Sequence, residues 1–474
     1  MKKVISIILA LVLVLGLCAC QGSGDQGQQG GSATAEGLQV GYAREKILPL
    51  DSVPLGGYGN SDNRISTGFL DYPYATCVAF TEGEDTVLLI STDLLRTSTS
   101  WTNTARDQIN AATGIPQQNI QIAATHTHSS PDIGNNHAGI AAYKDLYMAA
   151  MVKIAQEALA DQAPAKLYTG KVQTEGLNFV RHYKLSDGSY GGDNFGDFST
   201  NTIEGHATEG DPEMVLVKME REGDKKDIML MNFQAHPCFT GGSKETNISA
   251  DFIGSTRDAF EKATGMQFIY FTGAAGNQNT TSRISSENHH LSLQEYGEKL
   301  SSLAIEAMPT MTAVEGEGVR CTQLQYEYAS HREGQEKLTE AKEVAALFSQ
   351  TGDTNTANAM AKQYGFHSVY QCRGIVASAG YPATGTMELN AVNVAGIGFV
   401  TAPYEMFSNT ALYIKEKSPY DTTVVITCAT EMVSYFPTAE AYDYGCYESF
   451  TARYAKGCAE DSAAQLISML ESLK

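Results

Sequence analysis

Thr125-His126-Thr127-His128-Ser129-Ser130-Pro131 follows directly on the apolar run Ile120-Gln121-Ile122-Ala123-Ala124. A short apolar run of this kind reads as a buried strand. Two imidazoles two residues apart at its end can be aimed at one point, which is how a zinc site is commonly seeded. Three other strand ends carry matching chemistry. His236 sits in Asn232-Phe233-Gln234-Ala235-His236-Pro237, just past a strand expected over 228–233. Glu405 lies in Thr401-Ala402-Pro403-Tyr404-Glu405, past a strand expected over 394–401, and Tyr435 follows one expected over 422–427. In open α/β sheets ligands bind outside the carboxyl ends of the strands, so His126, His236, Glu405 and Tyr435 can converge there.

Neutral imidazoles and a carboxylate suit Zn²⁺, and an open coordination position leaves room for water. The metal would acidify that water and polarise a carbonyl, while a nearby histidine moved protons. The glycine-rich stretch Gly273-Ala274-Ala275-Gly276-Asn277, after a strand expected over 267–271, would let backbone N–H groups approach a substrate oxygen. Each residue also has a plainer reading at this point. His236 before a proline can be a hydrogen-bonded structural histidine, and Glu405 can favour the first turn of the helix after it. Tyr435 can be packing, and 273–276 only a tight turn.

Further strands are expected over 86–91 and 213–219, and helices over 99–112, 140–160, 250–264, 291–307 and 334–348. Ser249 reads as the N-cap of the third helix and Gly265 as its stop. The polar stretch 182–211 reads as a long loop of the kind that often serves as a lid. This alternation predicts a mixed α/β (α+β) domain over 38–474, with mixed β-sheets flanked by helices.

The first residues read as targeting. Lys2 and Lys3 precede an apolar stretch over 4–15 that is too short to span a bilayer as a stable helix. Leu17-Cys18-Ala19-Cys20 resembles the lipobox of bacterial lipoproteins. Residues 1–20 then form a signal peptide, Cys20 carries the lipid, and the Gly-, Gln- and Ser-rich 21–37 is a flexible tether. The expected location is lipid-anchored on a bacterial membrane, outside the cytoplasm. A formal net charge of −21 argues against nucleic acid and against an electrostatic hold on anionic lipid. No CxxC pair occurs, so a thiolate zinc cluster is not expected. An exported chain permits disulfides, and Cys446 with Cys458 is the first pair to consider.

Taken together these segments resemble the neutral/alkaline (non-lysosomal) ceramidase family. The likeness runs from Gly41-Tyr42-Ala43-Arg44 through Gly56-Gly57-Tyr58-Gly59, Ser91-Thr92-Asp93 and the His126–Pro131 motif. It continues through Asn178-Phe179-Val180-Arg181, Gly210-Asp211-Pro212, the His236 and Asp251 segments, Gly273 to Asn279, Pro403-Tyr404-Glu405 and Tyr435-Phe436-Pro437-Thr438, in the same order. The resemblance implies a ceramidase-like catalytic domain and a zinc amidase that cleaves the N-acyl bond of ceramide. It implies His126, His236, Glu405 and Tyr435 as zinc ligands, His128 as the acid/base or substrate-binding histidine, and Arg181 in the substrate pocket. Gly276 would contribute its backbone to the oxyanion. Two departures stand out. The family's Gly-Asp-x-Ser-Pro serine has no counterpart in Gly276-Asn277-Gln278-Asn279-Thr280, and the family's C-terminal β-sandwich domain is not expected here. Two rival readings follow: a hydrolase of another amide or ester on the same site, and a lipid-anchored binding protein on a degenerate enzyme scaffold.

Overall fold

Strands that are apolar on both sides of the pleat need a cover on both faces. The computed structural model, which describes residues 37–474 apart from Asn60, Ser243, Ser286 and Glu287, provides it in layers. The signal segment 1–20, Cys20 and the tether up to residue 36 lie outside the described residues. The first sheet is built from β1 (Gln39–Lys46), β2 (Tyr74–Glu82), β3 (Asp85–Thr92), β4 (Ile120–Ala124), β5 (Ala163–Gln173), β6 (Glu213–Arg221), β7 (Ile228–Phe233) and β8 (Gln267–Thr272). Their spatial order is β8-β7-β6-β5-β1-β2-β3-β4, with the short strand Thr312–Ala313 also on β5. The β3–β4 and β7–β8 pairs are parallel and the rest antiparallel. The second sheet runs β9 (Val319–Ala329), β10 (Thr384–Val394), β11 (Ile397–Thr401) and β12 (Thr423–Ile426), the last two parallel.

Alternate residues of each strand feed different cores. Val78 and Phe80 of β2, with Leu230 of β7, meet Val392, Phe399, Val424 and Ile426 between the sheets. Cys77 and Ala79 face the other way, onto the helices Thr99–Thr113 and Ala138–Ala160 through Trp101, Ile109, Tyr147 and Ile154. Met229 and Met231 pack on the helices Phe252–Thr264 and Leu293–Ala307. Val425 of β12 packs outward against Ile414 and Leu466 of the helices Ser408–Lys417 and Cys458–Leu473. The result is a pair of facing sheets between outer helices, a mixed α/β fold.

The topology gathers the strand ends. β4 and β8 are opposite edges of the first sheet, yet Thr272 Oγ1 donates to the Thr125 carbonyl at 2.7 Å. The segment after β12 is inserted between them. Thr427 N donates to Thr272 O at 3.0 Å, Ala124 N to Cys428 O at 3.0 Å, and Thr430 N to Ile122 O at 2.8 Å. The sheet therefore curls until both edges reach the second sheet, and their carboxyl ends share one mouth.

Four expectations need correction. Residues 394–401 are not one strand: Ala395 and Gly396 take φ +47 and +90 and turn β10 into β11, as a two-residue hairpin with both central residues left-handed requires. Residues 182–211 are not a plain loop, because His182–Leu185, Tyr190–Gly192 and Ile203–His206 form a small sheet. Such short strands leave little periodic signal. The third helix starts later than Ser249 suggests: Asp251, at φ +59, accepts from Phe252 N and caps it. Cys446 and Cys458 are not bridged, and the seven described cysteines are all free thiols. Among the described residues no helix is long and apolar enough to cross a membrane.

Candidate metal centre

His126 leaves β4 with φ +69, a left-handed conformation that a non-glycine residue seldom adopts. The kink turns its ring into the mouth. His126 Nδ1–H donates to the Leu95 carbonyl at 2.7 Å, and His236 Nδ1–H to the Ala275 carbonyl at 2.7 Å. A proton held at Nδ1 leaves Nε2 as a lone pair. Those two Nε2 atoms face each other at 3.2 Å, and His128 Nε2 lies 3.3 Å from that of His126. Glu405 Oε2 stands 3.2 Å from His126 Nε2 and 3.3 Å from His236 Nε2, and it is buried without a hydrogen-bond donor.

Glu405 and Tyr435 reach this point together. The strands Glu405–Met406 and Tyr435–Phe436 pair in parallel with Glu405 opposite Tyr435. The Tyr435 ring stacks toward His236 with centroids 6.5 Å apart. The four strand-end residues singled out in the sequence are thus brought to one place, two just after strands of the first sheet and two on a separate strand pair that follows strands of the second.

Bare lone pairs and a carboxylate this close repel one another, so the cluster calls for a shared proton or a metal cation. Ligands 2.0–2.1 Å from a tetrahedral ion lie roughly 3.3 Å from each other, which matches the separations here. Burial pushes the Glu405 carboxyl up, but the His126 and His236 rings outweigh it and hold the carboxyl well below its usual range. Burial lowers the His126 imidazole, and Glu405 more than reverses this, raising it well above normal. His236 stays lowered by burial. Glu405 is thus held ionised beside the two rings. His126, His236 and Glu405 fit a divalent metal, with Tyr435 beside them.

His128 is different in kind. Its Nε2 belongs to the cluster, yet its Nδ1 is buried with no partner. Metal-binding histidines are normally oriented through the second nitrogen, and nothing orients this one so. Burial, with the neighbouring His126 and His236, keeps its imidazole well below the usual value. Its ring packs edge-on against Tyr58 at 5.1 Å. A Cβ at Gly57 would stand 2.7 Å from the ring, so the glycine there makes room for it.

One expected role changes. Gly276 does not offer its N–H to a substrate, because that group already donates to the Met406 carbonyl at 2.8 Å. Glycine is needed there because a Cβ would lie 2.5 Å from the Glu405 carbonyl oxygen. Arg181 is at the site but buried and committed: Nη2 donates to the Gly276 carbonyl at 2.9 Å and Nε to Glu448 Oε1 at 2.7 Å. Glu448, which sequence reasoning missed, carried no local signal, since only the fold sets it behind Arg181. In the 276–280 segment, Asn277 accepts from Ser408 N at 2.8 Å, and Asn279 lies half-buried, donating to Asp193 at 3.0 Å.

No protein-family model matches the chain, and no curated protein does. Solved structures do. Neutral ceramidase from Pseudomonas aeruginosa superposes with a TM-score of 0.68 at 16% identity, covering 93% of this chain and 75% of that one. A ceramidase complexed with C2 gives a TM-score of 0.68 at 14% identity over the same shares. The chain therefore has a neutral ceramidase-like fold, shared at low sequence identity.

Proposed function

We propose that this chain is a zinc-dependent amidohydrolase that cleaves the N-acyl bond of ceramide or a related N-acyl lipid. The observation that carries the reading is the cluster of three imidazole Nε2 atoms and the Glu405 carboxylate, each within 3.3 Å of a neighbour, with the Nδ1 protons of His126 and His236 turned away onto carbonyls. His126, His236, Glu405 and Tyr435 would hold the metal. Zinc bound there supplies a Lewis acid that polarises the scissile carbonyl and acidifies water. His126 and His236 keep their lone pairs aimed inward because Leu95 and Ala275 hold the opposite protons. His128, kept neutral by burial, is free to accept a proton at Nε2 and return it to the departing amine nitrogen.

The same proposal carries a location. Residues 1–20 act as a lipoprotein signal, Cys20 bears the lipid, and the tether lets the domain meet a water-insoluble substrate at the bacterial membrane surface. The test is hydrolysis by the purified protein of a panel of N-acyl sphingoid bases, other N-acyl amines and esters, with zinc counted per chain. About one zinc, activity on long-chain amides, and loss of both in His236→Ala support the reading. Full metal content and activity in that variant would falsify it.

A second reading keeps the site and changes the substrate to another N-acyl or ester compound. It is favoured by Asn279, whose side chain is tied to Asp193 and Arg181 at 3.0 and 3.4 Å where the family's serine segment would run. Preference for a short or non-sphingoid amide in the same panel selects it. A lipid-anchored binder is the remaining outcome, if the panel gives no turnover.

A further inference from the structure

We infer that Glu448 and His182 are positioning residues that hold the Arg181 guanidinium against Tyr435 and the Gly276 turn. The inference rests on the hydrolase reading of the site and adds residues to it. Arg181 and His182 are consecutive, and they grip opposite oxygens of one buried carboxylate. Arg181 Nε is 2.7 Å and Nη2 2.5 Å from Glu448 Oε1. His182 Nε2–H donates to Glu448 Oε2 at 2.8 Å, and its Nδ1 lies 2.8 Å from the Tyr444 hydroxyl. His182 is 0% and Glu448 1% exposed. A proton at Nε2 and a hydrogen bond from Tyr444 to Nδ1 satisfy every ring and carboxylate atom with a neutral imidazole.

The held guanidinium faces the site. Its Cζ lies 5.4 Å from the centre of the Tyr435 ring, Nη2 reaches the Gly276 carbonyl at 2.9 Å, and Nη1 reaches Asn279 Oδ1 at 3.4 Å. It thus touches a candidate ligand, the turn behind Glu405, and Asn279 in the segment after that turn. Stability alone is a weak reason for this arrangement, because a buried ion pair roughly breaks even against apolar packing. Two guanidinium nitrogens on one carboxylate oxygen, with His182 on the other, fix geometry as well as charge.

His182, Cys446 and Glu448 also lie within 4.8 Å of one another. They form no cation site. Both His182 nitrogens and both Glu448 oxygens are already engaged, the Arg181 cation is adjacent, and Cys446 Sγ accepts from Ser449 N at 3.4 Å.

The experiment compares Glu448→Gln, His182→Phe and His182→Gln in the zinc-loaded protein, with crystal structures of each. Glu448→Gln keeps the shape but turns an NH2 toward one of its two donors. The expected result is a fall in kcat of about 10–100-fold for Glu448→Gln and His182→Phe, the range for partners behind a metal site, with KM and zinc per chain little changed. Arg181 swings off the Tyr435 ring in their structures. His182→Gln can still donate to Glu448 and recovers most of the lost rate. Rates within twofold of the parent in both damaging variants, or Arg181 unmoved in both structures, overturns the inference. If the parent itself hydrolyses nothing, the hydrolase reading fails while the Arg181 position still decides this one. If Glu448→Gln does not fold, the His182 pair decides it.

Discussion

His126 occupies a backbone conformation at φ +69 that costs free energy, and its ring is then fixed by Leu95. Strain of this kind persists where surrounding structure over-determines it. Holding the ring by its far nitrogen separates ligand from proton carrier: His126 and His236 are anchored through Nδ1, and His128 is not. His128→Gln is therefore expected to keep its zinc and lose about 10²–10⁴-fold in kcat, the usual contribution of a general acid–base, read from metal analysis and steady-state kinetics. Gly276 makes a sharper test of geometry. A methyl group there meets the Glu405 carbonyl oxygen at 2.5 Å and the Met406 oxygen at 2.7 Å, so the Glu405 strand must shift. Gly276→Ala should weaken zinc binding by about 10–100-fold in chelator competition while leaving far-UV circular dichroism intact. The ligand candidates were legible because two histidines and a glutamate sit within four residues of an apolar run's end, with Tyr435 further along after another. The purposes of Gly276 and Glu448 were not, since one depends on a backbone contact and the other on a residue far away in sequence.

Elements were legible where burial on both faces left continuous apolar runs, as in β4 and β7, whose residues are all buried. The turn at Ala395 and Gly396 was hidden because Ala395 is apolar and 7% exposed, so it extended the run it interrupts. The start of the helix Phe252–Thr264 was misplaced for a related reason. Ser249 is a good cap by type, but its hydroxyl bonds Asp71, while Asp251 takes the left-handed cap position. Asp251 does two jobs there. Oδ1 accepts from Phe252 N at 2.8 Å, and Oδ2 accepts from Thr240 N and Oγ1 at 2.8 and 2.7 Å. This ties the helix to the segment that follows His236. Asp251→Ala removes a cap and strands buried donors, at a combined cost of about 2–4 kcal/mol. The check is a lower urea midpoint at unchanged slope. An unchanged midpoint would show that solvent or Ser249 takes over the cap.

The site joins the two sheets, because His126 and His236 follow strands of the first and Glu405 and Tyr435 follow strands of the second. A second tie crosses beside it. Arg106, in the helix Thr99–Thr113, makes a two-point contact with Glu388 of β10 at 2.9 and 2.8 Å. Burial pushes the Glu388 carboxyl up, but Arg106 and hydrogen bonds from Asn390 and Thr430 bring it below its ordinary value of 4.5. A depressed carboxylate contributes stability that is present above that value and lost as pH falls below it. Glu388→Gln should therefore lower Tm at neutral pH and lessen its dependence on pH below about 4.5; a parallel curve would remove Glu388 from the acid response. A metal at the site would act as a third tie, and a ligand that binds only the folded state stabilises by about 4 kcal/mol at a thousand times its Kd. Chelation should lower Tm by several degrees, zinc should restore it, and His236→Ala should respond to neither. Because the four candidate ligands follow strands of both sheets, that loss should appear as one cooperative transition shifted to lower temperature. A separate early transition confined to the 403–436 segment would mean that the sheets hold together without the metal and that the site is only a surface attachment to them.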